Sequence, residues 1–194
     1  MKKKVTLLLA ALCFAASGGF AWRNMQEEET SIETSAAVLK VLKQDVPPQP
    51  LAPIDAGQEM STVAVDDTLY IGEVAIPSLQ LDLPVQSATT DASLKKSPGR
   101  FYGSVYEDNL VIAGHGYLRQ FGRIKSLPIG SEITFTDMDG NVFHYVVSWF
   151  ETLSPDQGEE MCTGDWDLTL YTCTIDNTAR VAVRCKRVDS DSMA

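Results

Sequence analysis

The chain has 194 residues, 44% hydrophobic and 22% charged, which suits one globular domain with appendages and excludes disorder throughout. Its formal net charge is −10; setting aside Lys2, Lys3, Lys4 and Arg23 leaves twelve basic residues against twenty-six acidic ones, a charge of −14. That balance excludes nucleic-acid binding and repels anionic polymers until salt screens it, at about 10 Å.

The first segment stands apart. Lys2, Lys3 and Lys4 precede an apolar stretch from Val5 to Trp22 interrupted only by Thr6, Ser17 and glycines, the pattern of a signal sequence or signal anchor. A run of this length can cross a bilayer core. It continues to Trp22 and Arg23 without a polar cleavage region, so residues 1–23 are expected to form an uncleaved transmembrane helix. Three lysines before the run against one arginine after it place the N-terminus in the cytoplasm. The expected location is the cell membrane, single-pass, with the bulk of the chain extracytoplasmic. Leu12 directly before Cys13, where a lipoprotein needs a small residue, argues against lipidation.

Residues 24–67 read as a connector. Thr30 and Glu33 form a capping-box pattern, and Ile32, Ala36, Leu39 and Leu42 recur at helical spacing, which predicts a short juxtamembrane helix. Pro47, Pro48, Pro50 and Pro53 then predict a semi-rigid spacer. No inhibitory lid motif stands out before Leu69.

The domain, residues 68–194, reads as short strands divided by turn residues. Leu69 alternates with Ile71, and Leu79, Leu81 and Leu83 alternate after Pro77. Asn109 to Ala113 is a compact apolar run, Glu132 to Thr136 alternates, Asp139-Gly140 marks a turn, and Val142 to Phe150 is rich in β-branched and aromatic residues. Leu118, Phe121, Ile124 and Leu127 share one helical face, and Pro128 ends that predicted helix. Two last strands, Leu168 to Cys173 and Ala179 to Val188, flank a loop with Asp176 and Asn177. The expected fold is mostly β: a closed, mainly antiparallel barrel with short helices.

Cys162, Cys173 and Cys185 are an odd number of cysteines, so they cannot all pair within one chain. With no Cys-x-x-Cys spacing and only two histidines, His115 and His144, the chain lacks the ligand pairs of a zinc site, and no metal or cofactor is expected. Cys162 and Cys185 read as core thiols or a mutual disulfide, and His144 as structural.

The informative constellation is Ala113-Gly114-His115 at one strand end, Leu170-Tyr171-Thr172-Cys173 at another, and Ala179-Arg180-Val181 opening the last strand. Taken singly, a strand cysteine is more often a small buried hydrophobe and a histidine more often structural. Together, Thr169-Leu170-x-Thr172-Cys173, a short loop, then Arg180 with alternating apolar residues resembles the signature of the sortase family, membrane-anchored cysteine transpeptidases of Gram-positive bacteria. Ile76-Pro77 to Leu83-Pro84-Val85 and Val111 to His115 match in order and spacing, so the resemblance spans roughly Leu69 to Val188.

The resemblance implies an eight-stranded barrel, a Leu-Pro-x-Thr-Gly-like sorting signal on surface-protein substrates, a thioester on Cys173, and release by an amine. His115 matches the donor of a proton to the leaving amine. Arg180 matches the residue that binds substrate carbonyls and the oxyanion, and Thr172 a position that helps shape the site. The chemistry needs such help, because a thiol of pKa about 8.5 is only slightly ionised at pH 7. Arg184 shares parity with Arg180 and matches a second, noncatalytic basic position. Anchoring to a cell-wall precursor is the expected outcome. The alternatives are polymerisation through a pilin lysine, or an inactive sortase-like module that only binds extended peptides. Gly116-Tyr117 after the histidine departs from the asparagine, arginine or aspartate found in many members, and leaves substrate preference and subclass open. The short segment from Glu151 to Asp167 argues against a long helical insertion there.

Overall fold

A computed structural model describes residues 2–46, 57–174 and 176–188. The prolines from 47 to 53 lie outside the described residues. Nine strands form one sheet: β1 (Val63–Val65), β2 (Thr68–Ile76), β3 (Leu81–Gln86), β4 (Gly99–Tyr102), β5 (Leu110–Ala113), β6 (Glu132–Asp137), β7 (Val142–Leu153), β8 (Leu168–Cys173) and β9 (Arg180–Val188). Their order is β1-β2-β3-β4-β5-β8-β9-β7-β6, and β2 also pairs with β6. That last pairing closes an eight-stranded barrel and leaves β1 as an appended edge strand. Most pairings are antiparallel; β3–β4 and β5–β8 are parallel.

The closing seam depends on Gly72. A Cβ there would lie 2.4 Å from the Thr136 carbonyl oxygen and 2.5 Å from the Phe135 ring. The backbones of β2 and β6 approach too closely for any side chain at this position. Inside, Ile71, Val74, Ile112, Phe135, Leu170 and Val183 belong to one fully buried core, whose burial from water is the main favourable contribution to folding.

Several local expectations are corrected. A register shift between Tyr70 and Gly72 breaks the alternation of β2, so Leu69 is exposed while Ile71 is buried. The helix expected over residues 118–127 does not form; turns lead into a single 3-10 turn at Ile124–Ser126. Phe121, Ile124 and Leu127 are buried there, but Leu118 is 61% exposed. Their three-residue spacing reflects consecutive turns plugging one end of the barrel. Cys162 and Cys185 are free thiols, the latter fully buried in the barrel.

Helix α1 runs unbroken from Lys2 to Asp45. Thr30 therefore caps nothing; its hydroxyl donates back to the Gln26 carbonyl at 2.9 Å. The face that α1 buries is Ser31, Ser35, Val38 and Leu42, whereas Ile32 is 40% exposed. Both serine hydroxyls donate to the Lys96 carbonyl, at 3.0 and 3.2 Å. Nearer its end, Lys43 pairs with Glu73 and Asp82, while Val38 and Leu42 pack with Tyr70 and Met138. Among the described residues no helix is long and apolar enough to cross a membrane; the side chains of residues 2–12 lie outside the described part.

Two short helices complete the fold: α2 (Asp91–Leu94), capped reciprocally by Thr90 and Ser93, and α3 (Gly158–Cys162) between β7 and β8. Arg184, 2% exposed, pins α3 to the barrel. It donates to the Glu151 carboxylate at 2.8 and 3.1 Å, to the Glu160 and Met161 carbonyls at 2.9 and 2.8 Å, and to the Thr169 hydroxyl at 3.1 Å.

Gly72→Ala is expected to strain the β2–β6 seam and lower stability by about 1–3 kcal/mol, as overpacking does. Urea unfolding followed by circular dichroism measures it, and an unchanged midpoint would show the seam to be tolerant.

Candidate active site

β5 and β8 run parallel in the register Val111↔Thr169 and Ala113↔Tyr171. Strand parity then divides the two faces. Leu110, Ile112, Leu168 and Leu170 join the barrel core, while Val111, Ala113 and Tyr171 join a separate outer cluster with Leu153, Met161 and Ala182. Continuing that outer face by two residues brings His115 beside Cys173. Both line a cavity of about 1090 Å³, together with Asn24, Lys95, Tyr117 and Thr178.

Cys173 and Arg180 are directly opposed across the β8–β9 ladder, and the Arg180 guanidinium donates to the Cys173 sulfur at 3.0 Å. The hairpin between them is tightly tied. Thr174 and Ala179 bond through their backbones at 2.8 Å, the Thr174 hydroxyl donates to Asp176 at 2.6 Å, and Asn177 takes a left-handed conformation with φ of 58°. Arg180 also lies 6.0 Å over the ring of Tyr171, which meets Phe101 in an edge-to-face contact. All three of His115, Cys173 and Arg180 are half-buried. Thr172 points to the barrel side; its hydroxyl is buried with no hydrogen-bond partner among the described residues.

The turn after β5 shapes the histidine's position. A Cβ on Gly114 would fall 2.4 Å from the Phe121 ring, so the chain can run over Phe121 only because residue 114 has none. Gly114 N–H donates to the Tyr171 carbonyl at 3.0 Å, which extends the parallel ladder one step beyond β5. The His115 N–H donates to the Gln120 side-chain carbonyl at 3.1 Å. Gln120, 1% exposed, in turn donates to Ser31 of α1 at 2.7 Å. The His115 ring stacks on Tyr117, centroids 4.0 Å apart and planes 26° apart, and its Nδ1 is buried with no hydrogen-bond partner among the described residues. Burial, helped by the Lys95 cation, pulls its pKa below the ordinary histidine value.

Sequence reasoning named His115, Cys173, Arg180 and Thr172, and the structure gathers all four at one end of the β5–β8–β9 sheet. It did not find Tyr117, Gln120 or the reach of α1. The adjacent Gly116-Tyr117 pair was noticed only as a departure. His144, on β7, sits at the opposite end of the β7–β9 ladder from Arg180, paired with Thr134 and Val188. Among the described residues no group of three histidine, cysteine or acidic side chains is placed to hold a metal ion.

A family model described as a sortase domain matches residues 74–188. Sortase A of Bacillus anthracis is 26% identical over 201 aligned positions, covering 94% of each chain. Among solved structures, sortase C1 of Streptococcus agalactiae superposes with a TM-score of 0.57 at 30% identity, covering 66% of this chain and 72% of its own. Clostridium perfringens sortase C, solved with the C-terminal cell wall sorting motif, gives 0.54 at 29% identity, with 62% and 71% covered.

Because the folded His115 pKa is depressed, protonation there opposes folding. The stabilising contribution is present above the unfolded value of about 6.5 and lost as pH falls through the folded value. His115→Gln is expected to remove this dependence. Chemical denaturation between pH 7 and pH 5 should show wild type losing more stability than the variant, and parallel curves would contradict the lowered pKa.

Proposed function

Because the chain belongs to the sortase family, we propose that it is a cysteine transpeptidase that cleaves a Leu-Pro-x-Thr-Gly-like sorting signal after threonine and passes the acyl group to an amine of a cell-wall precursor. The observation that carries this reading is the Arg180 guanidinium on the Cys173 sulfur, with His115 in the same cavity. A sorting motif bound to a related sortase C agrees with a peptide substrate.

In the proposed reaction Cys173 loses its proton to His115, which the lowered pKa keeps neutral and ready to accept it. The sulfur attacks the threonine carbonyl, and the oxyanion forms where Arg180 can offset its charge. His115 returns the proton to the departing amine, leaving a thioester on Cys173. The incoming amine attacks that thioester, gives a proton back through His115, and releases the thiol. Arg180 serves both stages because its guanidinium rests on the Cys173 sulfur, beside which each oxyanion develops. Arg184 takes no part, since its donors are all committed to α3, Thr169 and Glu151.

The same reading makes residues 1–23 a single-pass membrane anchor with the barrel outside the cell. If the apolar run ends at Trp22, Asn24 and Glu27 follow within about 3 and 8 Å along the helix. Since Asn24 lines the cavity, the site would open near the membrane surface.

The test incubates the protein with a Leu-Pro-x-Thr-Gly peptide library and either triglycine or a lysine-containing peptide, read by mass spectrometry. Wild type is expected to form an acyl adduct and a ligated product, and Cys173→Ala neither. Arg180→Ala should lower kcat by roughly 10²–10³-fold, and Arg180→Lys should restore only part of it, because a point charge cannot span two acceptors. Peptide binding with an unreactive Cys173 would replace the enzyme by a binding module. The preferred amine identifies the acceptor.

A further inference from the structure

Tyr117 lies two residues beyond His115 and is 4% exposed, with its ring laid against the imidazole at 4.0 Å. Its hydroxyl reaches out of the barrel and donates to Glu27 of α1 at 3.1 Å. Glu27 is itself held on three sides: Lys95 donates to the same oxygen at 2.9 Å, and Arg23 to the other oxygen at 3.2 Å. These donors, Lys95 first, hold its carboxyl down at about 2, so it is a fixed anion at neutral pH. A second tie runs beside the first, from Ser31 through the buried Gln120 to the His115 N–H. A third joins the Glu28 carboxylate to the Arg119 N–H at 3.0 Å. Helix α1 thus grips the whole turn from His115 to Gln120, and a single tyrosine ring links that grip to the imidazole face.

We propose that Tyr117 is a positioning residue for His115, and that Glu27 of α1 locks it in place, so that docking of α1 on the barrel sets the orientation and environment of the imidazole. The inference rests on the catalytic reading of His115. A stacked ring fixes the plane of the imidazole without occupying either nitrogen in a hydrogen bond. That plane matters here because the Nδ1 has no hydrogen-bond partner among the described residues to orient it. The ion pair beside it acts in opposite senses: Lys95 disfavours the imidazolium and Glu27 favours it. Asp91 of α2, Lys125 and Asp176 also line the cavity, and Arg180 donates to the Cys173 sulfur that lines it.

The chain contains two histidines, so the His115 imidazole can be titrated by NMR in the full-length protein in detergent micelles, with His144→Gln providing the assignment. Glu27→Gln is expected to lower the His115 pKa further and Lys95→Gln to raise it, with the His115-controlled limb of the pH–rate profile following each. Tyr117→Phe, which keeps the stack but loses the Glu27 bond, should lower kcat less than Tyr117→Leu, which should lower it roughly tenfold with KM within twofold. The proposal is overturned if Glu27→Gln and Lys95→Gln leave the titration where it was, or if Tyr117→Leu matches or exceeds wild type. Failure of the transpeptidase reading would look different: wild type would form no adduct on Cys173, while the titration would still decide the positioning claim.

Discussion

The parallel pairing of β5 with β8 is the constraint on which the rest depends. Two strands distant in sequence run side by side in one direction, so their C-terminal ends emerge together, and those ends carry His115, two residues past β5, and Cys173, the last residue of β8. Parallel neighbours cannot be joined by a tight hairpin. The long excursion from Ala113 to Leu168 supplies the crossover, and it carries β6, β7 and α3 with it. Closure through the β2–β6 seam holds this arrangement rigid. The glycines at 72 and 114 are two of the points where the fold leaves no room for a side chain.

Arg180 reaches the same place by a different and more local route. The tight β8–β9 hairpin opposes it to Cys173, so sulfur and guanidinium are paired by register alone. Local register was legible in the sequence: Leu168 to Cys173, the Asp176-Asn177 turn and the alternation after Arg180 together dictate a hairpin. The Asp139-Gly140 turn was legible for the same reason, since a period of two on either side of turn residues has few alternative folds. The parallel β5–β8 pairing left no such local mark, and only the family resemblance placed His115 near Cys173.

Where sequence reasoning failed, tertiary contacts had overridden local pattern. Phe121, Ile124 and Leu127 are buried at three-residue spacing, but by successive turns rather than helix, because the chain there must pass over Gly114 and plug a barrel end. Helix α1 buries Ser31 and Ser35 where a hydrophobic stripe was expected, since the Lys96 carbonyl needs donors on that face. Arg184 is buried despite its charge because four acceptor groups surround it. Tyr117 was visible as an unusual neighbour of the histidine, yet its partner Glu27 lies ninety residues away, and nothing local announces that contact.

Helix α1 is accordingly more than a tether. It buttresses the β2–β3 end through Lys43, Val38 and Leu42 and the turn from His115 to Gln120 through Glu27 and Ser31. One rigid rod thereby connects the N-terminal segment to the imidazole.

In the proposed reaction the ends of β5, β8 and β9 form a single catalytic site. The direct test is a crystal structure of the protein with a Leu-Pro-x peptide whose threonine is replaced by a thiol-bearing analogue, added as an activated disulfide and trapped on Cys173 by thiol–disulfide exchange. The account predicts the peptide lying along the cavity, with its C-terminal end at Arg180 and the His115 imidazole facing the same atoms while still stacked on Tyr117. A peptide held away from both Arg180 and His115 would contradict it.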